Sequence, residues 1–183
     1  RRTFPIARNE DTERPYILSM GSAHRDYPTL IKALEPLQIR TIIVTRPDTV
    51  SQLPQHDWIE YRHSLSSEEC DQLLARARLS VTPVANLETA SGQVTFIDAM
   101  RAGVAPVVTR CPGTQGYIED GQNGALAAPF DADDLRQKIQ ALWQDDAARL
   151  ALADRAAASA AAQFSDEAAA ARLKEILLEV GGA

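Results

Sequence analysis

Residues 79–109 read LSVTPVANLETASGQVTFIDAMRAGVAPVVT, and this stretch decides the fold. It holds a β-branched apolar run at Leu79–Pro83, a helical pattern over Gly92–Ala102 and a second β-branched run at Val107–Thr109. A strand, a helix and another strand in this order are typical of a parallel β-α-β unit. Gly103 falls where such a helix needs a left-handed terminator.

The same alternation continues on both sides of this unit. Further strands are predicted at Tyr16–Met20, Arg40–Thr45, Trp58–Tyr61 and Ala125–Ala127. Further helices are predicted at Tyr27–Leu37, Ser66–Ala77 and, as a short one, Gln115–Glu119. Three Ala-rich helical stretches are predicted between Asp131 and Gly181, and they start at Asp131, at Asp145 or Asp146, and at Ser165. Right-handed crossovers between these strands predict an α/β fold, a doubly wound parallel sheet of about six strands. Ligands of such a sheet bind at the carboxyl ends of its strands.

Composition and charge exclude several classes of protein. The 183 residues, 45% apolar and 24% charged, are typical of one soluble globular domain. The balance of 19 basic and 25 acidic residues argues against a general nucleic-acid binder. Cys70 and Cys111 lie in no CxxC or Cys/His cluster, which predicts reduced thiols, no zinc site and a reducing compartment.

The start of the chain suggests a larger protein. Residues 1–14 are polar without periodicity, which predicts a linker or N-terminal extension, and residues 15–183 form the predicted domain. No stretch approaches the ~18 consecutive apolar residues of a membrane span, and Arg1-Arg2 precedes no secretion signal. We therefore expect an unexported, cytoplasmic protein, and the Ala-rich, Lys-poor composition favours a bacterial source.

The first strand is followed by a loop suited to phosphate. Gly21 comes directly after the strand and a helix starts near Pro28, so backbone N–H groups face a cleft. Arg25 in this loop is able to meet a phosphate bidentately. The alternative is that Arg25 forms only a surface pair with Asp26 or Glu35.

The helix in residues 79–109 carries a second candidate site at its start. Ser91 is predicted as the N-cap, Gly92 lets a ligand approach the backbone, and the helix dipole favours an anion. Asp98 stands within an otherwise apolar segment of this helix. A carboxylate there must be paired or face a polar cleft, unless it simply points to solvent.

Residues 92–113, GQVTFIDAMRAGVAPVVTRCPG, make the sequence recognisable. They resemble the nucleotide-binding segment of family 4 glycosyltransferases, E-x7-E-A-M-x-x-G-x-P-V-[IV] followed by a glycine loop, with one extra residue before Pro106. The segment Ser66–Pro83 is similar to the family's S-x-x-E-x-x-x-L-L-x-x-A-x-x-x-V-x-P. Tyr16–Leu34 is similar to its opening strand, G-R-x(n)-K-G loop and helix. Together these matches cover about residues 16–180 in the family's order.

The resemblance implies the GT-B fold, two facing Rossmann-like domains, of which this chain matches the C-terminal, donor-binding one. It implies a retaining enzyme that transfers a sugar from a nucleoside-diphosphate sugar to an acceptor held by a missing N-terminal domain. It implies no cofactor and no bound metal, because Arg25 and the helix terminus neutralise the diphosphate. Such a protein would lie in the cytoplasm or peripherally at the inner membrane.

The resemblance also assigns the parts of the donor site. Gly21, Ser22 and Arg25 would flank the phosphates. Ser91 would open the helix whose first residues, Gly92, Gln93 and Val94, offer backbone donors. Asp98 would bind the ribose, and His63 and Ser64 would lie near the base. It assigns no catalytic residue.

Three departures from the family pattern leave a second function open. Ala90 stands eight residues before Asp98, where the family has its first carboxylate, and Glu88 is out of phase with that position. Ser22 replaces the family's first arginine, and Gly116 stands where the glycine loop usually has its acid. The alternative function is a non-catalytic nucleotide-sugar-binding or interaction module with the same fold.

Overall fold

The structure is a computed structural model that describes residues 6–85, 88 and 90–181. Its strands are β1 Ile17–Met20, β2 Thr41–Val44, β3 Ile59–Arg62, β4 Leu79–Thr82, β5 Pro106–Thr109 and β6 Ala125–Ala127. They form one sheet in the order β3-β2-β1-β4-β5-β6, and every pair is parallel. The predicted doubly wound sheet is therefore confirmed, and each predicted strand is present to within one residue at each end.

Seven α-helices connect and flank these strands in the described part of the chain. They are α1 Tyr27–Leu34, α2 Pro47–Val50, α3 Ser67–Arg76, α4 Gln93–Arg101, α5 Ala132–Gln144, α6 Asp146–Gln163 and α7 Asp166–Gly181. The three predicted Ala-rich helices are confirmed as α5, α6 and α7. The short helix α2 lies in a segment for which the sequence predicted no helix.

Two predicted helices differ from those observed. Helix α1 ends at Leu34 and not at Leu37, because Pro36 lacks the N–H that would continue the helix. The helix predicted at Gln115–Glu119 is wrong. A 3-10 turn forms at Pro112–Thr114, before this segment. Gly116 has a φ of +77°, which interrupts a right-handed helix at that residue.

Side-chain caps fix the starts of several helices as their residue types predict. Ser66 Oγ accepts the Glu69 N–H at 3.2 Å, and Glu69 Oε2 accepts the Ser66 N–H at 2.7 Å, which completes the predicted capping box. Asp131 and Asp145 cap α5 and α6. Gly103, with a φ of +65°, terminates α4 as predicted.

The sheet buries both faces. Ile17 and Ile43 belong to the cluster shared with α1 and α5, whereas Leu18 and Ile42 belong to the cluster shared with α3 and α4. The strand order reverses between β1 and β4, so the loops after these two strands diverge to opposite faces and leave a crevice between them. Any ligand of this sheet is expected there.

The N-terminal segment, residues 9–11, lies against the opposite, amino-terminal edge of the sheet. The Asn9 N–H donates to the Ala75 carbonyl at 2.8 Å. Glu10 forms ion pairs with Arg149 at 2.8 Å and with Arg78 at 2.9 Å, and the Arg149 side chain is only 4% exposed. These contacts hold the segment to the body of the domain.

Candidate anion site at the switch point

The loops after β1 and β4 are joined to each other by main-chain hydrogen bonds. The Asp26 N–H donates to the Pro83 carbonyl at 3.2 Å, and the Ala85 N–H donates to the His24 carbonyl at 2.9 Å. The two loops therefore form one unit at the crevice.

Arg25 ties this unit to helix α4. Its Nε donates to the Met20 carbonyl at 3.0 Å, and Nη1 donates to the Ala23 carbonyl at 2.8 Å. Nη2 donates to Thr95 Oγ1 at 3.0 Å, and Nη1 makes a longer contact of 3.4 Å with Ser91 Oγ. One guanidinium therefore connects the end of β1, its loop and the first turn of α4.

The charge of Arg25 has no counterion among the described residues. All its hydrogen-bond acceptors are neutral carbonyl or hydroxyl oxygens. The alternative surface pair with Asp26 or Glu35 is therefore wrong. Burial lowers the pKa of the Arg25 guanidinium, but an arginine keeps its proton in proteins. A partly buried positive charge thus stands at the crevice, where an anion would stabilise it.

The start of α4 differs from the prediction. Ser91 is not the N-cap. Gly92 occupies that position with a left-handed φ of +92°, and no side chain caps the helix. The Ser91 hydroxyl donates to the Ala23 carbonyl at 3.1 Å instead.

This arrangement leaves amide donors open. The first helical hydrogen bond runs from the Phe96 N–H to the Gly92 carbonyl at 3.1 Å. In the described part of the chain the N–H groups of Gln93, Val94 and Thr95 have no acceptor. Together with the helix dipole they form a second centre of positive potential beside Arg25.

Two glycines are required by this geometry. Gly21 has a φ of +120°, and a Cβ on it would lie 2.8 Å from Cζ of Arg25. A Cβ on Gly92 would lie 2.9 Å from Cγ2 of Thr82. A larger residue at Gly92 is excluded for steric as well as conformational reasons, whereas one at Gly21 would be strained by its φ and would displace the Arg25 guanidinium.

A cavity of about 260 Å³ opens at this point. It is lined by Ala23, Arg25, Ala90, Ser91, Gly92, Gln93, Val94 and Thr95. Five of the predicted site residues thus meet at one cavity. Among the described residues that line it, none is acidic, and Arg25 supplies the charge.

Gly21 and Ser22 lie beside this cavity, in the loop after β1. The Gly21 carbonyl accepts the Tyr27 hydroxyl at 2.5 Å. Ser22 Oγ lies 3.4 Å from Thr45 Oγ1, at the end of β2. The side chain of Ser22 is thus directed toward β2.

His63 and Ser64 follow β3 at the same edge of the sheet. Both are exposed, and His63 Nδ1 lies 3.3 Å from Ser64 Oγ. Strand β3 is two strands from β1, which corresponds to roughly 10 Å. They do not line the cavity.

Asp98 lies within α4 and is only 7% exposed. The alternative in which this carboxylate points to solvent is therefore wrong. Asp98 does not line the cavity at the helix N-terminus, and its contact with a ribose stays a prediction.

Thr95 and Ala23 belong to this site but were not predicted from the sequence. Thr95 supplies the hydroxyl that accepts from Arg25, and the Ala23 carbonyl accepts from both Arg25 and Ser91. The position of Thr95 in the first turn of a helix is a weak signal for such a contact. A main-chain carbonyl such as that of Ala23 gives no signal in the sequence.

No group of three or more His, Cys, Asp or Glu side chains among the described residues is placed to hold a metal ion. No helix in that part of the chain is both long and apolar enough to cross a membrane.

The family model described as glycosyl transferases group 1 matches residues 14–145. Among solved structures, HepE (Alr3699) of Anabaena in complex with UDP and glucose aligns with a TM-score of 0.78 and 23% identity, over 90% of this chain and 48% of that one. Sucrose-phosphate synthase of Thermosynechococcus elongatus aligns with a TM-score of 0.78 and 20% identity, over 98% of this chain and 47% of that one.

The C-terminal domain of LpcC, a glycosyl transferase group 1 family protein of Francisella tularensis, aligns with a TM-score of 0.68 and 17% identity, over 85% of this chain and 90% of that domain. These similarities confirm the Rossmann-like fold of a GT-B C-terminal domain. The chain spans about half the length of HepE and of the sucrose-phosphate synthase. No curated protein sequence matches it significantly.

Proposed function

This chain belongs to the group 1 glycosyl transferases, and from that premise we propose that it is the donor-binding half of a retaining family 4 enzyme. The enzyme would transfer a sugar from a nucleoside-diphosphate sugar to an acceptor held by a separate N-terminal domain. Residues 1–14 would join the two halves, and residues 15–183 would form the donor domain.

One observation carries the proposal. The guanidinium of Arg25 and the open N–H groups of Gln93, Val94 and Thr95 meet at one cavity with no carboxylate among its described lining residues. Two adjacent centres of positive potential without an internal counterion favour a ligand with more than one negative charge. A diphosphate matches this requirement.

The same groups suit the chemistry of transfer. When the bond between the sugar and the diphosphate breaks, negative charge accumulates on the leaving diphosphate. Amide donors and a guanidinium that are already in position stabilise that charge without reorganisation. Arg25 and the α4 terminus would therefore serve in place of a metal ion.

The other parts of the donor would extend along the same edge of the sheet. Asp98 would accept hydrogen bonds from the ribose, and His63 and Ser64 after β3 would lie near the base. HepE, which shares the fold, was solved with UDP and glucose, so uridine is the first base to test. The protein would work in the bacterial cytoplasm, including the surface of the inner membrane.

A second function is favoured by Ala90. It lines the cavity where the family pattern has a carboxylate near the donor sugar. A domain that keeps the phosphate-binding groups but lacks this acid would serve as a nucleotide-sugar-binding or interaction module without transfer.

Calorimetry separates these functions from an unrelated use of the fold. The chain is titrated with UDP, GDP, ADP and uridine, and so are Arg25→Ala and the control Arg155→Ala. The Arg155 guanidinium also donates to main-chain carbonyls, at 2.6 Å to Gln122 and 3.1 Å to Gly121, but it lies on α6 away from the cavity. We expect Arg25→Ala to weaken diphosphate binding and Arg155→Ala to leave it unchanged. Absence of binding to every diphosphate would refute the proposal.

Activity assays then separate the enzyme from the binding module. We expect residues 1–183 alone to bind a diphosphate weakly and to transfer no sugar, because one domain holds only one side of the donor. A longer protein that contains this chain should hydrolyse or transfer from the nucleotide sugar that binds. Binding without either reaction in that longer protein would favour the module.

A further inference from the structure

The Ser91 hydroxyl is held away from the helix that it precedes. Serine immediately before a helix is a preferred N-cap, because its oxygen accepts an amide N–H of the first turn. Here the hydroxyl donates to the Ala23 carbonyl at 3.1 Å and receives Nη1 of Arg25 at 3.4 Å. Gly92 occupies the N-cap position, and glycine has no side-chain oxygen to cap the helix.

Arg25 contacts each part of this arrangement. Its Nη1 and the Ser91 hydroxyl share the same acceptor, the Ala23 carbonyl. Its Nη2 holds Thr95, one turn further along α4, at 3.0 Å. The planar guanidinium thus fixes Ser91 and the helix relative to each other, which a single ammonium group does not reproduce.

A capped helix would compete with the ligand. If Ser91 were the N-cap, Gly92 would adopt right-handed helical angles, and the hydroxyl would accept the N–H of Gln93 or Val94. These are the amides that the proposed donor site leaves open. The capped arrangement therefore fills the anion site with the protein's own oxygen.

We infer that Arg25 is a positioning residue that keeps Ser91 from capping α4 and so holds the N-terminus of the helix open. As far as the ligand is a nucleoside diphosphate, this inference rests on the proposed function. The effect of Arg25 on the helix terminus does not depend on the proposed function, because it concerns the protein without ligand.

Amide hydrogen exchange without nucleotide tests the inference directly. The exchange of Gln93, Val94 and Thr95 is compared in the parent, Arg25→Ala, Ser91→Ala and the double variant. We expect Arg25→Ala to slow the amide that Ser91 then caps by about fivefold, and the double variant to exchange as fast as the parent. Equal exchange in Arg25→Ala and the parent would overturn the inference.

Arg25→Lys gives the same test if Arg25→Ala fails to fold. Lysine keeps the positive charge but loses the fork that reaches Ser91 and Thr95 together. We expect the capped amide to be slowed in this variant too, and its affinity for UDP to fall about fivefold or more. A lysine variant with parental exchange and parental affinity would show that the charge alone matters, which overturns the inference.

UDP titration completes the cycle. Adding Ser91→Ala to Arg25→Ala should restore part of the affinity for UDP that Arg25→Ala loses, because alanine has no oxygen to cap the helix. If Arg25 only contacted the phosphate directly and had no positioning role, Ser91→Ala would restore no affinity, and that result would overturn the inference. If the parent binds no diphosphate, the proposed function fails, while the exchange data still decide the role of Arg25. Arg155→Ala is the control and should match the parent in both measurements.

Discussion

Replacement of Gly92 by alanine tests the geometry at the start of α4. Gly92 has a φ of +92°, and the added Cβ would lie 2.9 Å from Cγ2 of Thr82, whose side chain is fully buried. A left-handed conformation costs an L-residue roughly 1–2 kcal/mol. Overpacking in a core costs about 1–3 kcal/mol more. We therefore expect Gly92→Ala to lower the free energy of unfolding by about 2–5 kcal/mol.

Gly103 at the other end of the same helix supplies the matched control. Its φ is +65°, and a Cβ there meets nothing within 4 Å. Gly103→Ala should therefore show only the conformational cost of roughly 1–2 kcal/mol. Urea denaturation followed by circular dichroism measures both variants.

A double-mutant cycle isolates the contact with Thr82. Thr82→Ser removes the methyl group that the new Cβ would meet. In that background the excess cost of Gly92→Ala over Gly103→Ala should disappear, which appears as a coupling energy of about 1–3 kcal/mol. If Gly92→Ala costs no more than Gly103→Ala, or if the coupling is zero, the described packing of α4 on β4 is wrong.

Three further predictions concern the ligand, alkaline pH and the N-terminal segment. Asp98→Asn should weaken UDP binding by about 1.5–3 kcal/mol, the value of a hydrogen bond to a charged group; unchanged affinity in calorimetry would remove Asp98 from the ribose site. Burial raises the pKa of Tyr27 from its usual 10.0 to about 12. The neutral phenol therefore contributes stability that is complete below pH 10 and lost as the pH rises to 12, and Tyr27→Phe should flatten the unfolding free energy over that window; an equally steep loss in urea denaturation would contradict this. Glu10→Gln removes the shorter of the two ion pairs of Arg149, at 2.8 Å, while the pair with Asp146 at 3.2 Å remains, and it should cost about 2 kcal/mol, within the range of a hydrogen bond to a charged group. The control Asp154→Asn breaks an exposed pair and should cost less than about 1 kcal/mol in the same assay, so equal losses would refute the buried role of Glu10.

The sheet was predictable because its signals are local. Each strand is a short β-branched run between turn residues, and the capping box of Ser66 and Glu69 lies within one turn of a helix. The failures have local causes as well. Pro36 shortens α1, and Gly116 prevents a helix after the turn at Pro112–Thr114.

The site was less predictable because its decisive contacts are long-range. Ser91 donates to a carbonyl 68 positions earlier in the chain, and Arg25 donates to a hydroxyl 70 positions later. The sequence around Ser91 predicts an N-cap, since serine before a helix usually takes that role. Only the approach of the β1 loop, which depends on the strand order, gives its hydroxyl another partner.

The contacts of Arg25 also relate stability to binding. Its guanidinium lies beside the positive end of α4, and the oxygens that accept its hydrogen bonds are all neutral. The protein without ligand therefore bears an electrostatic cost at this point, since like charges close together in a partly buried site repel each other. An anion that enters the cavity relieves this cost in addition to the hydrogen bonds that it forms. A ligand stabilises the folded state that it binds. Arg25 and the N-terminus of α4 lower the stability of the domain without ligand, and these same groups are expected to contribute most to its stabilisation by a diphosphate.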